Sequence, residues 1–163
     1  MIRLIVAIDS RRGLADEHGI PWQGKIPSDA AYFRDRTTEG LIVMGFKTYE
    51  EFATPLHDRT NYVATRSTDA ALRPGFEVVP DLDPFLDAHR DEVVWVIGGA
   101  ALYEASLPMA DELVITQLDQ DFHCTKFFPS YDQDFQLDPG AATMVESGIS
   151  FRFETWHRTR AAP

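Results

Sequence analysis

A strand that ends in two glycines and continues directly into a helical pattern is the feature of this sequence that most limits its fold. Residues 93–97 (Val-Val-Trp-Val-Ile) form the most apolar short run of the chain, and Gly98-Gly99 follows at once. A continuous apolar run of this length is typical of a strand that is covered on both faces. Residues 100–105 have a helical pattern, so the segment predicts a unit of strand, glycine turn and helix.

Short strands and helices alternate along the rest of the chain. Apolar runs predict strands, the first of them central and the last one arm of a terminal hairpin, over residues 2–8, 41–44, 60–65, 76–79, 113–118 and 150–158. Helical patterns predict three further helices, the first with Ser28 as its N-cap, over residues 28–37, 48–52 and 82–89. Strands that alternate with helices predict an α/β protein with a mostly parallel sheet.

The length and composition of the chain fit one globular domain. A domain of 163 residues buries about 70% of its unfolded surface, and 44% apolar with 25% charged residues is ordinary for a water-soluble protein. We therefore expect a single domain over residues 1–163. No apolar run approaches the roughly 20 residues of a membrane span. The first four residues do not begin a signal peptide, so we expect a cytoplasmic protein.

The charge and the cysteine content argue against several kinds of partner. The formal net charge of −11 repels nucleic acids, although a few cations or a helix N-terminus can still hold a small anion locally. The acidity otherwise serves solubility or adaptation to salt. Cys124 is the only cysteine, and no cysteine and histidine residues have zinc-site spacing. We expect a monomer without nucleic acid, membrane or metal partners.

Three predicted strand ends carry residues that could form a ligand site. In open α/β sheets, ligands bind beyond the carboxyl ends of the strands. The first strand leads into a long loop, residues 9–19, and on to Asp29, whereas two later strands end at Gly45 and at Gly98-Gly99. A loop of that length in a compact domain is usually functional.

The two glycine turns have a structural interpretation and a functional one. Gly98-Gly99 allows close backbone approach and precedes helical N–H groups that can meet a phosphate, but such a pair is a plain tight turn about as often. In the other turn, Lys47 supplies a cation, and Thr48 supplies a hydroxyl that can either cap the helix or contact a phosphate. Two such turns at neighbouring strand ends suit the two halves of a dinucleotide.

Asp29 is the candidate carboxylate of the site. In the first turn of a helix a carboxylate interacts favourably with the helix dipole, and for an arbitrary Asp this is the usual explanation. Here Trp22, Pro27, Tyr32 and Phe33 can shield the group from water. Such burial would raise its pKa toward the range useful for binding a protonatable base.

Eight ordered motifs resemble the dihydrofolate reductase family over nearly the whole chain. They are Ala7-Ile8-Asp9, Ile20-Pro21-Trp22, Asp29 with Phe33, Ile42-Val43-Met44-Gly45, Arg59-Thr60-Asn61, Val96-Ile97-Gly98-Gly99, Tyr103 and Thr116. We therefore expect an α/β fold, a three-layer sandwich around a mixed, mostly parallel sheet of about eight strands. The resemblance implies an NADPH-dependent enzyme of one-carbon metabolism. In tetrahydrofolate biosynthesis it would reduce 7,8-dihydrofolate to 5,6,7,8-tetrahydrofolate.

The resemblance also implies a substrate pocket. Asp29 would hydrogen-bond N3 and the exocyclic amine of the pterin, with support from Thr116, and Trp22 would hold a nearby water. Arg59 would pair with the glutamate α-carboxylate through two parallel hydrogen bonds. The implied catalytic residues are Asp29, Trp22, Tyr103 and Thr116. The implied substrate-binding residues are Ile5, Val6, Ala7, Asp29, Phe33, Phe52, Leu56, Arg59, Ile97 and Thr116.

The resemblance assigns NADPH to the two glycine turns. Its pyrophosphate would lie against Gly98 and Gly99, between which the family has a cis peptide bond, and its 2′-phosphate near Arg66. Residues 14–22 would form a lid over the nicotinamide. The implied cofactor-binding residues are Ala7, Leu14, Ile20, Gly45, Phe46, Lys47, Thr48, Thr65, Arg66, Ile97, Gly98, Gly99, Ala100, Ala101, Leu102 and Tyr103.

The sequence departs from the family pattern in several places. Residues 23–28 form a longer segment than the family usually has, Phe46 replaces a frequent arginine, and Ala100 replaces a glycine. Residues 123–126 (His-Cys-Thr-Lys) replace Gly-Asp-Thr, so this loop has no carboxylate to accept hydrogen bonds from the lid. We expect these differences to affect lid closure and cofactor affinity rather than the reaction.

Two alternative functions stay open at this point. A related pyrimidine reductase of riboflavin synthesis shares the fold, but it has no reason to keep Trp22, Asp29 and Arg59 together. A non-catalytic folate- or nucleotide-binding protein would be expected to lack the carboxylate. Oxidation of NADPH on addition of dihydrofolate distinguishes the three functions.

Overall fold

The secondary structure follows the apolar runs of the sequence. The computed structural model describes residues 1–67, 69 and 71–159, so positions 68, 70 and 160–163 of the expected domain lie outside the described residues. The strands are β1 (Ile2–Ile8), β2 (Gly13–Ala15), β3 (Leu41–Gly45), β4 (Thr60–Ala64), β5 (Phe76–Val79), β6 (Val94–Val96), β7 (Glu112–Leu118), β8 (Lys126–Phe127), β9 (Phe135–Leu137), β10 (Met144–Glu146) and β11 (Ile149–Arg158). The helices are α1 (Pro27–Arg36), α2 (Phe46–Glu50), α3 (Leu82–Ala88) and α4 (Ala100–Ser106). Within these ranges, no helix has the length and apolar character that crossing a bilayer requires.

Nine strands form the main sheet of the described residues. Eight of them follow the order β10-β11-β7-β1-β6-β3-β4-β5, and β9 also pairs with β11. The pairs from β7 to β5 in this order are parallel, whereas β11 is antiparallel to its neighbours. The predicted α/β fold around a mixed, mostly parallel sheet of about eight strands is therefore confirmed. The central position predicted for β1 is also confirmed, since it pairs with β6 and β7.

Different helices cover the two faces of the sheet. On one face, Leu4 of β1 belongs to a core cluster with Leu86 of α3 and Leu102 of α4. On the other face, Ile5 belongs to a cluster with Tyr49 of α2 and with aromatic residues of α1. Adjacent residues of a strand point to opposite faces, so a strand covered on both sides needs apolar residues at nearly every position. This explains the continuous apolar runs of the inner strands.

Several predicted element boundaries shift by a few residues. The helix predicted over residues 48–52 is α2, which begins at Phe46 directly after β3. The predicted N-cap role of Ser28 is wrong. The helix α1 already begins at Pro27, whose fixed φ suits the first helical position, and the Ser28 hydroxyl donates a hydrogen bond to Glu146 of β10 instead.

A buried carboxylate fastens the base of the loop that follows β1. Asp9 has no exposed surface, and its Oδ1 accepts hydrogen bonds from the backbone N–H groups of Arg11 (2.9 Å) and Gly13 (2.7 Å). Its Oδ2 accepts one from the N–H of Phe122 (3.0 Å), in the loop before β8. A Cβ on Gly13 would lie 2.5 Å from the Cβ of Cys124, so only glycine fits at this position.

Candidate active site

A cavity of about 1390 Å³ opens where several strands of the sheet end. Its lining includes the carboxyl ends of β3, β4 and β5, the residues that follow β6, the second half of β1, and residues of α1, α2 and α4, as expected for an open α/β sheet. Among the described residues, it contains every residue predicted for the site except Arg59. The predicted residues in the lining are Ile5, Val6, Ala7, Leu14, Ile20, Trp22, Asp29, Phe33, residues 45–48, Phe52, Leu56, Thr65, Arg66, residues 97–103 and Thr116.

The carboxylate of Asp29 is paired with a hydroxyl group of the sheet. Oγ1 of Thr116 on β7 donates a hydrogen bond of 2.6 Å to Oδ1 of Asp29 in the first turn of α1. Burial raises the pKa of the Asp29 carboxyl, the hydrogen bond from Thr116 lowers it, and the negative charge of Glu146 raises it again, with a net upward shift. The cavity therefore contains a carboxylate that favours sharing a proton with a basic ligand.

The walls around this carboxylate agree only in part with the prediction. Trp22, which is 4% exposed, and Phe33 line the cavity. Pro27 lines it as well, but it is exposed and shields little. Tyr32 does not line the cavity, and its ring stacks on Phe153 of β11 with the ring centroids 3.9 Å apart. Tyr32 therefore packs α1 against the sheet.

The two glycine turns meet in the cavity. The N–H of Gly45 donates a hydrogen bond of 2.7 Å to the carbonyl of Gly98, and the peptide bond between Gly98 and Gly99 is cis. Gly98 has a φ of 119°, and a Cβ there would lie 3.3 Å from Oη of Tyr103, so this position requires glycine. A Cβ on Gly99 would lie 3.8 Å from Oγ1 of Thr48, in the space between the turns. The turns thus form a cradle in which a ligand can approach the backbone closely.

Tyr103 connects this cradle to the central strand. Its side chain is buried, and its hydroxyl donates a hydrogen bond of 2.7 Å to the carbonyl of Ile5. Burial strongly raises the pKa of the Tyr103 phenol, and the negative charge of Asp29 raises it further. The phenol is therefore neutral, and its hydrogen bond holds α4 against β1.

Charged side chains of both signs lie around the cradle. Lys47 and Arg66, which were predicted to lie near a phosphate, are exposed and line the cavity. Glu51, Asp81 and Asp83 also line it, although no sequence motif pointed to them. Asp81 follows β5 closely, so the rule that ligands bind beyond strand ends, applied to β5, would have found this part of the lining.

Arg59 is the one predicted residue that lies outside the lining in the described part of the chain. Its Nε donates a hydrogen bond of 2.8 Å to the carbonyl of His57, and its Nη1 donates one of 3.0 Å to Oγ1 of Thr37. Thr37 in turn donates to the carbonyl of Phe33, so Arg59 lies beside the end of α1 rather than in the cavity. Arg34, which follows Phe33 and belongs to no motif, lines the cavity instead.

Backbone hydrogen bonds connect the start of the predicted lid, residues 14–22, with the loop before β8. β2 pairs with β8, and the N–H of Thr125 donates a hydrogen bond of 2.9 Å to the carbonyl of Ala15. As predicted, residues 123–126 offer no carboxylate to the lid. A carboxylate does bond this loop, but it belongs to Asp9, which precedes the predicted lid, and it accepts the N–H of Phe122. The acceptor and the donor have therefore exchanged sides relative to the family pattern, and the sequence of residues 123–126 gives no sign of this.

Known proteins resemble this chain in both sequence and structure. Residues 1–158 match the family described as "Dihydrofolate reductase". The dihydrofolate reductase of Bacillus subtilis is 37% identical over 82% of this chain and 78% of its own length, and the type 3 dihydrofolate reductase of Salmonella typhimurium is 35% identical over 80% of both chains. The structure of the Enterococcus faecalis enzyme complexed with NADP(H) and RAB-propyl has a TM-score of 0.86 and 26% identity, over 98% of this chain and 97% of that one. On this evidence, the chain belongs to the dihydrofolate reductase family.

Proposed function

We propose that the cavity is the active site for the reduction of 7,8-dihydrofolate to 5,6,7,8-tetrahydrofolate. NADPH supplies the hydride when it is bound. The observation that carries the proposal is the shielded carboxylate of Asp29, bonded to Thr116 in the same cavity as the glycine cradle. The relatives above are dihydrofolate reductases, and one of them is seen with NADP(H), which supports the assignment of the cofactor.

Asp29 binds the pterin end of the substrate. Its carboxylate accepts hydrogen bonds from N3 and the exocyclic amine, and its negative charge, little screened by water in these surroundings, favours a protonated pterin. The hydroxyl of Thr116 fixes the orientation of Oδ1, while Trp22 and Phe33 exclude water from the ring. N5 belongs to the other ring of the pterin, so its proton arrives through water rather than from Asp29. The rest of the substrate lies against Ile5, Val6, Ala7, Phe52, Leu56 and Ile97. Arg59 lies outside the lining, beside the end of α1, so it would meet the glutamate where the substrate leaves the cavity.

The glycine cradle binds the cofactor. The close approach that Gly98 and Gly99 allow suits a pyrophosphate, and Thr48 adds a hydroxyl between the turns. Lys47 and Arg66 supply cations for further phosphate oxygens. The chain thereby holds two reactants in one cavity, and this orientation supplies much of the catalysis. The remaining cofactor contacts are Ala7, Leu14, Ile20, Gly45, Phe46, Thr65, Ile97, Ala100, Ala101, Leu102 and Tyr103.

The direct test follows NADPH absorbance after dihydrofolate is added. Oxidation of NADPH that depends on dihydrofolate supports the proposal. Oxidation only with the pyrimidine intermediate of riboflavin synthesis would instead identify the related pyrimidine reductase. Binding of both ligands to folded protein without oxidation would identify a non-catalytic binding protein, and either of these two results would overturn the proposal.

We expect the enzyme to prefer NADPH over NADH by about tenfold in kcat/KM, a difference near 1.4 kcal/mol. Lys47 and Arg66 can contact the 2′-phosphate, but both are exposed and Phe46 removes a further cation, so the preference is modest. Lys47→Gln and Arg66→Gln should each reduce the ratio. Arg34→Gln removes a cavity cation on α1 and should leave the ratio unchanged. Equal kcat/KM for both cofactors in the parent would remove these residues from the site.

Arg59→Lys is expected to raise the KM for dihydrofolate by roughly tenfold with little change in kcat. A lysine cannot hold the Thr37 hydroxyl and the His57 carbonyl while it also forms two parallel hydrogen bonds with a carboxylate. The glutamate is remote from C6, the pterin carbon that receives the hydride, so the lost binding is common to the ground and transition states. Steady-state kinetics measure both constants, and a pterin that lacks the glutamate should show no difference. An equal fall in kcat would contradict the assignment.

We also propose that residues 1–163 act as a single-domain, monomeric, cytoplasmic enzyme without nucleic acid or membrane partners. The net charge of −11 supports the exclusion of nucleic acids, because phosphate backbones are repelled. Light scattering should give the mass of one chain, and a dimer mass would contradict the proposal. Binding of labelled duplex DNA at physiological salt would contradict the exclusion.

A further inference from the structure

Glu146 contacts the helical turn that carries Asp29, although it belongs to the distant hairpin of β10 and β11. Its Oε1 accepts a hydrogen bond of 3.0 Å from the backbone N–H of Ser28, and its Oε2 accepts one of 2.5 Å from the Ser28 hydroxyl. Ser28 directly precedes Asp29 in α1. The carboxylate of Glu146 is thus held in one orientation behind the first turn of the helix.

The contact replaces the missing cap of α1. The first N–H groups of a helix have no partner within the helix and need acceptors from elsewhere. Ile26 at the N-cap has no polar side chain, and Pro27 has no N–H to satisfy. Glu146 accepts the first available N–H, that of Ser28, and its negative charge is favourable near a helix N-terminus. The position of the first turn therefore depends on this contact.

The groups that face Asp29 come from four elements. Thr116 of β7 donates its hydrogen bond, and Glu146 of β10 brings a negative charge. Tyr32 on α1 and Tyr103 on α4 are neutral phenols, and the charge of Asp29 contributes to raising the pKa of each. A negative charge close to a carboxyl group disfavours the ionised form of that carboxyl. Glu146 accordingly favours the proton-bound state of this part of the site.

We propose that Glu146 is a positioning residue of the active site, which orients Asp29 through the first turn of α1 and uses its negative charge to retain a proton at the site. The inference rests on the proposed function, in which Asp29 binds a protonated pterin. The sign follows from Coulomb's law. A negative charge close to Asp29 stabilises a positive charge or a bound proton at the site, so the proton is kept to higher pH.

The test separates the charge of Glu146 from its hydrogen bonds. Glu146→Gln removes the charge but keeps an amide oxygen that can accept the N–H of Ser28. Ser28→Ala removes the hydroxyl but keeps the charge and the 3.0 Å bond from its N–H. Two midpoints are measured in each variant: the titration of the Asp29 carboxyl in ligand-free protein by carbon-13 NMR, and the pH dependence of hydride transfer with NADPH and dihydrofolate.

Glu146→Gln is expected to lower both midpoints by about 0.5–1 pH unit, and Ser28→Ala by less than about 0.2 unit. At a pH above the rate midpoints of the parent and the variant, hydride transfer in Glu146→Gln should then be about 3- to 10-fold slower than in the parent, because one pH unit corresponds to a factor of ten. Below both midpoints the variant and the parent should react equally fast. Glu146→Asp keeps the charge and should restore the midpoint.

Two controls keep the result interpretable. Asp91→Asn removes the same charge from an exposed turn and should leave both midpoints unchanged, which excludes an effect of net charge. If Glu146→Gln does not fold, Glu146→Ala removes the charge together with both acceptors, and its midpoints should still fall while those of Ser28→Ala do not.

The outcomes distinguish this inference from the proposed function. Unchanged midpoints in Glu146→Gln would overturn the inference, and so would a loss of rate that is equal at every pH, since that result describes a purely structural cap. A lowered NMR midpoint in a protein that does not oxidise NADPH with dihydrofolate would overturn the proposed function. It would leave the action of Glu146 on Asp29 supported.

Discussion

Asp29→Asn is expected to fold normally and to lose most of its activity at neutral pH. A neutral amide cannot form a charge-assisted pair with a protonated pterin, and such a pair is worth about 1.5–3 kcal/mol, so kcat/KM should fall by roughly 10- to 150-fold. The loss reaches kcat because the protonated pterin is the form that accepts hydride, and the carboxylate favours that form over the neutral one. The deficit should shrink at low pH, where the pterin is protonated without help.

Asp35→Asn is the matched control for this variant. Asp35 lies on the same helix, but its side chain is exposed. The same substitution there should leave kcat/KM and its pH dependence unchanged. If Asp29→Asn retained activity within about threefold of the parent, the loss would be smaller than one charged hydrogen bond, and Asp29 would not be the pterin-binding group.

The stability of Asp29→Asn should move in the opposite direction to its activity. Burial makes the folded-state pKa of Asp29 higher than the unfolded value. A group of this kind stabilises the fold below its unfolded pKa, and the contribution is lost as the pH rises through the folded pKa. The variant should therefore be at least as stable as the parent toward urea at neutral pH, with the difference vanishing below about pH 4.

Asp9→Asn is expected to lower the free energy of unfolding by about 2–4 kcal/mol, a large effect for one atom. The carboxylate is fully buried and accepts three backbone N–H groups, from Arg11, Gly13 and Phe122. An asparagine has one acceptor oxygen, and its NH₂ group would face a donor, which leaves a buried N–H without a partner. Urea denaturation measures the change.

The control for this variant lies in the same loop. Oδ1 of Asp16 also accepts a backbone N–H, that of His18, but the contact is exposed. Asp16→Asn should therefore change the free energy of unfolding by less than about 0.5 kcal/mol. A similarly small change in Asp9→Asn would show that the lid and the loop before β8 are held by other contacts. Faster amide exchange at Thr125 in Asp9→Asn would show that the pairing of β2 with β8 has loosened.

The difference in the free energy of unfolding between the parent and Asp9→Asn should depend on pH. Burial raises the pKa of the Asp9 carboxyl, but the N–H groups of Phe122, Arg11 and Gly13 outweigh it, and the net pKa lies below its usual value. A group with a lowered folded-state pKa stabilises the fold above its unfolded pKa, and that contribution is lost as the pH falls through the folded pKa. The parent should therefore keep its advantage over Asp9→Asn at neutral pH and lose it below about pH 4.

The architecture and most of the cavity could be predicted from the amino-acid sequence. Runs such as residues 93–97 are too short for a helix and too apolar for an exposed strand, so they specify inner strands. The carboxyl ends of parallel strands lie at one edge of the sheet, and residues that follow such strands, including Gly45 and Gly98, therefore meet wherever the sheet forms. Local pattern and ordered motifs were sufficient for this level of the structure.

The pairing of polar side chains could not be predicted, because it depends on how the elements pack. A serine often caps a helix by accepting a backbone N–H, but the hydroxyl of Ser28 donates a hydrogen bond to the carboxylate of Glu146, 118 residues away. Arg59 lies outside the cavity because Thr37 and the His57 carbonyl hold its guanidinium. A hydrogen bond depends on distances of a few tenths of an ångström between elements that pack together only in the folded chain. No periodicity along the sequence encodes those distances, so polar partners across the fold follow from packing alone.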